Sequence, residues 1–306
     1  MGAVFLRRST GIVLLILCLL SAGCVHHSTM ASRDASFSPY VDTKVGQVSL
    51  REFLLARAAV LLKAEQLSVT HSNTNSRTFS IAGTNSWRGT AAAIDRRGYF
   101  LTAAHCVEKD PFCLAFLNEG KMQVQRARLV WRGDAAKKQP DLAILQVSLL
   151  LQQVFEWATE FTNGNSILAV GLSLDKPRVL KTQCMAGKIL NLSEGPQARP
   201  PHYTVVSHDA PLRHGDSGGP LVSTDGHLLG INVGAELGFR WRRLSVEPLY
   251  ADAHRPDLEW LRQIIEQDVT LQSGTTANQP NKSDAANPAI ASRLKSGHQW
   301  RGVADP

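Results

Sequence analysis

Three short stretches hold the side chains best able to do chemistry: "FLTAAHCV" with His105, "QPDLAIL" with Asp141 and "RHGDSGGPLV" with Ser217. A serine hydroxyl is a poor nucleophile until a base takes its proton, and an imidazole serves best as that base when a carboxylate fixes its tautomer. Taken singly, each residue has a plainer reading. A Gly/Ser/Pro cluster is normally turn punctuation, a histidine closing an apolar strand is normally a polar rim residue, and an aspartate before a strand is normally a turn residue. Taken together, in the order His, Asp, Ser, they supply a complete proton relay. The chemistry such a relay serves is nucleophilic attack on a carbonyl.

Groups of this kind work only when rigid elements hold them, and the flanking sequence predicts strands. Short apolar runs bounded by turns follow one another: "GTAAAID", "YFLTAAH", "FCLAFL", "QRARLVW", "LAILQV", "SILAVGL", "VLKTQCMAGKIL", "YTVVSH", "GPLV" and "HLLGINVGA". Many short strands at this spacing indicate an all-β barrel or sandwich. Two segments differ. "LREFLLARAAVLLKAEQL" reads either as one amphipathic helix or as a helix running into a strand at "AAVLLKA". "RPDLEWLRQIIEQ" reads as a helix that closes the β domain, with Pro256 in its first turn, Asp257 and Glu259 at its positive end, and Leu258, Leu261, Ile264 and Ile265 on one stripe.

The chain has 306 residues, 43% hydrophobic and 19% charged, which is enough to bury a full core and excludes a disordered or fibrous protein. The net charge of +7 is spread over scattered Lys and Arg residues. Its densest runs match no nucleic-acid motif, so it reads as solvated surface and no nucleic-acid partner is expected. At the N-terminus Arg7 and Arg8 precede "GIVLLILCLL", an apolar run short for a membrane span, and "SAGC" follows it. Residues 1–23 read as a signal peptide. The small residues before Cys24 resemble a bacterial lipobox, in which Cys24 becomes the acylated first residue of the mature chain. Leu20 stands one place early for a lipobox, so ordinary signal-peptidase cleavage and an uncleaved anchor remain as alternatives.

Residues 24–48 are polar and aperiodic, as a tether would be, and His26 and His27 read as part of it. Residues 49–270 form the folded domain, and 271–306, rich in Asn, Ser, Ala and Pro, are expected to lack structure. Cys106, Cys113 and Cys184 are left for the domain, so at most one internal disulfide can form there. Their spacing fits no zinc template, and neither metal nor cofactor is expected.

"LTAAHC", "DLAIL" and "GDSGGP", in this order, resemble the chymotrypsin-like serine peptidases over about Leu50 to Gln267, and the short gaps between them are similar to the bacterial HtrA-like branch. The resemblance implies an all-β fold of two six-stranded antiparallel β-barrels with a cleft between them, followed by a C-terminal α-helix. It implies a serine endopeptidase in which Ser217 attacks the scissile carbonyl, His105 relays the proton and Asp141 orients the imidazole. The N–H groups of Gly215 and Ser217 would form the oxyanion hole, while Gly218 and Gly219 would leave room for substrate. Pro211 would be the base of the substrate pocket and Val233, Gly234 and Ala235 its wall. With no carboxylate at the base, that pocket favours small or medium apolar side chains of protein or peptide substrates, Asp209 being the nearest acid in the sequence.

The sequence also departs from the pattern. Asp216 matches the aspartate that receives a newly released N-terminus in the digestive branch, yet no "IVGG"-like segment lies suitably upstream, so that activation is not expected. The usual cysteine partner of Cys106 is missing, Thr90 standing about where it would be. Cys106 is then free, or paired with Cys113 or Cys184. HtrA proteins carry binding domains after the peptidase, and the stretch from Ser273 to Pro306 is too short and polar for one. Two other readings compete: a peptidase-fold binding scaffold without catalysis, against which the complete triad argues, and a non-peptidase acyl hydrolase. The second lacks support, because the residue order differs from that of α/β-hydrolases and no G-x-S-x-G elbow surrounds Ser217. The expected place is the cell envelope, lipid-anchored to a membrane through Cys24, with Val25 favouring the outer membrane of a Gram-negative host; otherwise the protein is secreted.

Overall fold

The computed structural model describes residues 43–63, 67–71, 77–81, 87–107, 112–175, 179–196, 201–240 and 245–277. The signal segment, Cys24 and most of the tether lie outside these residues, as does the chain after residue 277.

A two-stranded hairpin, β1 (Lys44–Val45) with β2 (Val48–Ser49), leads into helix α1 (Leu50–Leu55). The helix starts at a capping box: Ser49 Oγ accepts the Glu52 N–H at 3.3 Å and the Glu52 carboxylate accepts the Ser49 N–H at 3.2 Å. It is short because the next apolar residues do not keep a helical period. Ala58 to Leu62 are buried without interruption, as a strand covered on both faces requires, and they form β3 (Ala58–Lys63). Of the two readings of this segment, helix followed by strand is the one observed.

After a separate hairpin of β4 (Leu67–His71) and β5 (Arg77–Ile81), the chain continues through β6 (Trp87–Asp95), β7 (Tyr99–Thr102), β8 (Phe112–Asn118), β9 (Lys121–Arg132) and β10 (Ala143–Gln146). With β3 these close a six-stranded antiparallel barrel in the order β10-β7-β6-β3-β8-β9. Alternate residues fill it: Ala59 and Leu61, Ala91 and Ala93, Phe112, Leu114 and Phe116, Ala143 and Leu145 belong to one buried cluster. A second closed barrel of six antiparallel strands has the order β11-β12-β13-β16-β15-β14. Its strands are β11 (Ser166–Asp175), β12 (Val179–Glu194), β13 (Tyr203–His208), β14 (Pro220–Ser223), β15 (Leu228–Arg240) and β16 (Ser245–Pro256). Ile167, Ala169, Met185, Ile189, Val206, Leu221, Leu229 and Ala253 form its core. This is the chymotrypsin-like double barrel that the motifs imply.

Strand β16 is absent from the apolar runs of the sequence. Pro248, Asp252 and Pro256 interrupt its pattern, and its inward residues Ala251 and Ala253 are small. Neighbours on both sides, β13 and β15, make it a strand nonetheless. Pro256 ends β16 rather than opening a helix. The helix that follows, α2 (Leu258–Ala277), is capped instead by Asp257, whose carboxylate accepts the Trp260 N–H at 2.7 Å. It runs to Ala277, past residue 271, from which the composition predicts a lack of structure. Thr270 and Ser273 hydroxyls donate back to the carbonyls of Glu266 and Val269 over this last stretch, each at 2.9 Å.

Candidate active site

The register of the first barrel brings His105 and Asp141 together. Strands β7 and β10 are antiparallel neighbours with Thr102 opposite Ala143, so the residues just after Thr102 and just before Ala143 leave the barrel at the same end. His105 lies in a single 3₁₀ turn, Ala104–Cys106, which Arg132 holds by donating from Nε to the Ala104 carbonyl at 3.0 Å. The His105 Nδ1 and Asp141 Oδ2 atoms are 2.6 Å apart, and the His105 backbone N–H donates to Asp141 Oδ1 at 2.9 Å. Both carboxylate oxygens therefore grip one residue, fixing the ring and its tautomer with the proton on Nδ1. The hydrogen bond to Asp141, helped by the Cys106 thiol, raises the His105 pKa above its ordinary 6.5 against the effect of burial. Burial alone would raise Asp141, but its hydrogen bonds and charge interaction with His105 outweigh that and hold it below the usual carboxylate range. A cavity of about 790 Å³ opens beside the pair, between the two residues and Trp131, Asp134 and Lys137.

Ser217 follows a tight turn before β14. The Asp216 N–H donates to the Arg213 carbonyl at 3.0 Å, and Gly215, third residue of that turn, has φ +98°, which a type II turn demands at this place and which favours glycine. The Asp216 carboxylate closes the turn from the other side by accepting the Arg213 N–H at 2.7 Å. Burial pushes that carboxyl up to about 6, opposed by the Arg213 N–H and charge. Among the described residues, the Gly215 and Ser217 N–H groups have no hydrogen-bond acceptor and the Ser217 hydroxyl has no partner. Unpaired N–H donors and an unpaired hydroxyl within three residues of one turn are the groups that an oxyanion and an attacking oxygen call for.

Thr90, buried on β6, braces this turn from the first barrel. Its hydroxyl donates to the Gly215 carbonyl at 3.1 Å and accepts the Leu172 N–H at 3.0 Å, while its own N–H donates to the Ser217 carbonyl at 2.9 Å. In the sequence Thr90 marks only the place of a missing cysteine. The residue that actually faces Cys106 is Gly89, where a Cβ would stand 2.9 Å from the thiol sulfur. All three domain cysteines are free and buried. Replacing Thr90 by valine keeps the shape and deletes the hydroxyl, orphaning the Gly215 carbonyl and the Leu172 N–H, at about 1–3 kcal/mol for each group. Chemical denaturation of Thr90→Val is expected to show that loss, and kcat is expected to fall more than KM rises because the turn is loosened.

Gly218 and Gly219 have a different role from the one expected. A Cβ on Gly218, at φ +80°, would lie 2.1 Å from Thr102 Oγ1 and 2.2 Å from the Thr90 carbonyl, and one on Gly219 would lie 1.9 Å from the Val170 carbonyl. The room they leave is filled by the protein's own strands, not by a ligand. Of the residues read as a substrate pocket, Pro211 and Ala235 are exposed, Gly234 has open space where a Cβ would be, and Val233 packs partly buried against the core of the first barrel. Leu212 packs on the second core. Asp209 turns its carboxylate to the Lys188 N–H at 2.6 Å.

Two closed antiparallel barrels carry a His–Asp pair at the end of one and a serine turn before a strand of the other. Residues 89–231 match the profile of the trypsin-like peptidase domain. The serine protease Do-like HtrA of Bacillus subtilis (strain 168) is 29% identical over 141 residues, 44% of this chain and 30% of that protein. The serine endoprotease DegS of Escherichia coli (strain K12) is 28% identical over 148 residues, 47% of this chain and 39% of that protein. The chain thus spans about a third of the length of the curated relatives it matches. A solved structure titled HtrA-type protease AlgW with decapeptide is 21% identical, with a TM-score of 0.49, over 70% of this chain and 66% of that one.

Proposed function

We propose that the protein is a serine endopeptidase in which Ser217 attacks the peptide carbonyl, His105 takes and returns the proton, and Asp141 orients and charge-stabilises the imidazole. The observation that carries this reading is the double hydrogen bond from His105 to the Asp141 carboxylate, 2.6 Å through Nδ1 and 2.9 Å through the backbone. That geometry serves no purpose in a simple turn and leaves Nε2 as the only ring nitrogen able to accept a proton. The Gly215 and Ser217 N–H groups receive the oxyanion. A fluorophosphonate probe tests the reading, since it reacts only with an activated serine. An adduct is expected on Ser217, and an intact protein without one would leave the chain a binding scaffold of the same fold. Export, and membrane attachment through an acylated Cys24, belong to the same proposal on the strength of "LLSAGC" behind an arginine-flanked apolar run. The mass of the mature N-terminal peptide decides that point.

The specificity proposed is for small or medium apolar side chains before the scissile bond, with Pro211 at the base of the pocket and Val233, Gly234 and Ala235 along its wall. Asp209 supports it, because its carboxylate is already engaged by the Lys188 N–H. A substrate cation would find no carboxylate among these residues to pair with. Matched peptides differing only in Val or Arg at that subsite are expected to give a kcat/KM at least about tenfold higher for Val, roughly 1.4 kcal/mol. A tenfold preference for Arg would show that an acid reaches the pocket.

A further inference from the structure

We propose that His254 is a positioning residue for Asp141, holding the acid in register with His105 from the opposite barrel through a neutral Nδ1 acceptor; the inference rests on the peptidase reading above. Asp141 belongs to a loop of the first barrel and His254 to β16 of the second. The Asp141 backbone N–H donates to His254 Nδ1 at 3.0 Å. The carbonyls on either side of it in the loop are already engaged, that of Pro140 by the Leu142 N–H at 2.8 Å and that of Leu142 by the Gly133 N–H at 2.9 Å. Asp141 is consequently fixed at both ends, its side chain by His105 and its backbone by His254. A histidine lies on each side of the acid, and each is bonded to a different part of it.

The arrangement requires His254 to be neutral with its proton on Nε2, because a backbone N–H can only be accepted by a bare nitrogen. Burial supplies this, pushing His254 down to about 4 against the raising influence of Asp141 and Asp252. The groups around the ring fit the same role. Tyr203 of β13 lies against it with centroids 4.7 Å apart, and Asp252, on β16 itself, accepts from the Ser207 hydroxyl at 2.6 Å. Strand partners Val205 and Ile231 flank it in the sheet. His254 touches neither Ser217 nor His105 by any hydrogen bond, so it acts on the chemistry only by setting where the Asp141 carboxylate stands.

Three substitutions in the full chain separate positioning from packing. His254→Leu removes the acceptor, His254→Gln keeps a polar chain but carries its acceptor one atom too far out, and His254→Asn puts an amide oxygen where Nδ1 was. The readouts are the His105 ring titration followed by NMR and peptide hydrolysis. In the Leu and Gln variants the His105 midpoint is expected to fall by about one unit or more as the carboxylate drifts. kcat is expected to fall by roughly 10²-fold with KM little changed, the scale of a misplacement near 1 Å. The Asn variant is expected to restore both. Should Leu destabilise the fold, the Gln and Asn pair makes the same comparison. Unchanged titration in Gln, or an Asn variant as impaired as Gln, overturns the proposal. A wild-type protein that shows the raised His105 midpoint but cleaves no peptide sinks the peptidase reading alone, since the titration still reports whether His254 sets Asp141.

Discussion

Ser217→Ala is expected to lower peptide hydrolysis by about 10⁴-fold or more while leaving the denaturation midpoint where it was. The two halves of that result come from different atoms. The hydroxyl has no hydrogen-bond partner among the described residues, so its deletion strands no buried group, and the bond that ties the residue into the fold, Thr90 N–H to the Ser217 carbonyl at 2.9 Å, is made by the backbone and survives. The alanine side chain also leaves the turn around Gly215 untouched. Casein digestion by the variant at a rate near that of wild type would show that Ser217 is a turn residue and nothing more.

Asp141→Asn is expected to cost roughly 10⁴-fold near neutral pH, because an amide can present its N–H₂ to Nδ1 and so favours the tautomer that cannot accept the serine proton. The pH profile should move as well. In the wild type the carboxylate raises His105 above 6.5, so the neutral ring, which is the active form, accumulates only as pH rises through that elevated value. The ascending limb of kcat/KM therefore lies above 6.5 and shifts to lower pH in the Asn variant, which no longer stabilises the imidazolium. The same sign governs folding. The contribution of His105 to stability is present below 6.5 and disappears as pH climbs through its folded value, while that of Asp141 is lost at low pH as its depressed carboxylate protonates. A variant with wild-type rates and an unmoved limb would mean that another carboxylate orients His105.

Contiguous motifs carry the candidate triad in the sequence. His105, Asp141 and Ser217 each sit in a run of residues whose types make sense only together, and the strands that carry them have uninterrupted apolar patterns. What escaped the sequence is the support. Thr90 bonds to Gly215 and Ser217, and His254 bonds to Asp141, across separations of more than a hundred residues, and nothing in "RGTAA" or "ADAHRP" marks either residue. β16 escaped for the same reason that it works: flanked on both sides by other strands, it needs little apolar content of its own, and its prolines and aspartate hide the alternation. The role of Gly218 and Gly219 was misplaced because a glycine beside a nucleophile looks the same in sequence whether the space it leaves belongs to a ligand or to a neighbouring strand.

The bonds between the barrels are reciprocal: Thr90 in the first barrel holds the serine turn of the second, and His254 in the second holds the acid of the first. During synthesis the half carrying His105 and Asp141 emerges long before its clamp, which is among the last residues of the second barrel. Contacts so distant along the chain form late in folding, after local hairpins have closed. A nascent chain would therefore hold His105 and Asp141 not yet aligned and no serine turn at all. On the peptidase reading proposed above, competence would arrive only with the final strand, so the order of residues along the polypeptide would itself work as a delay.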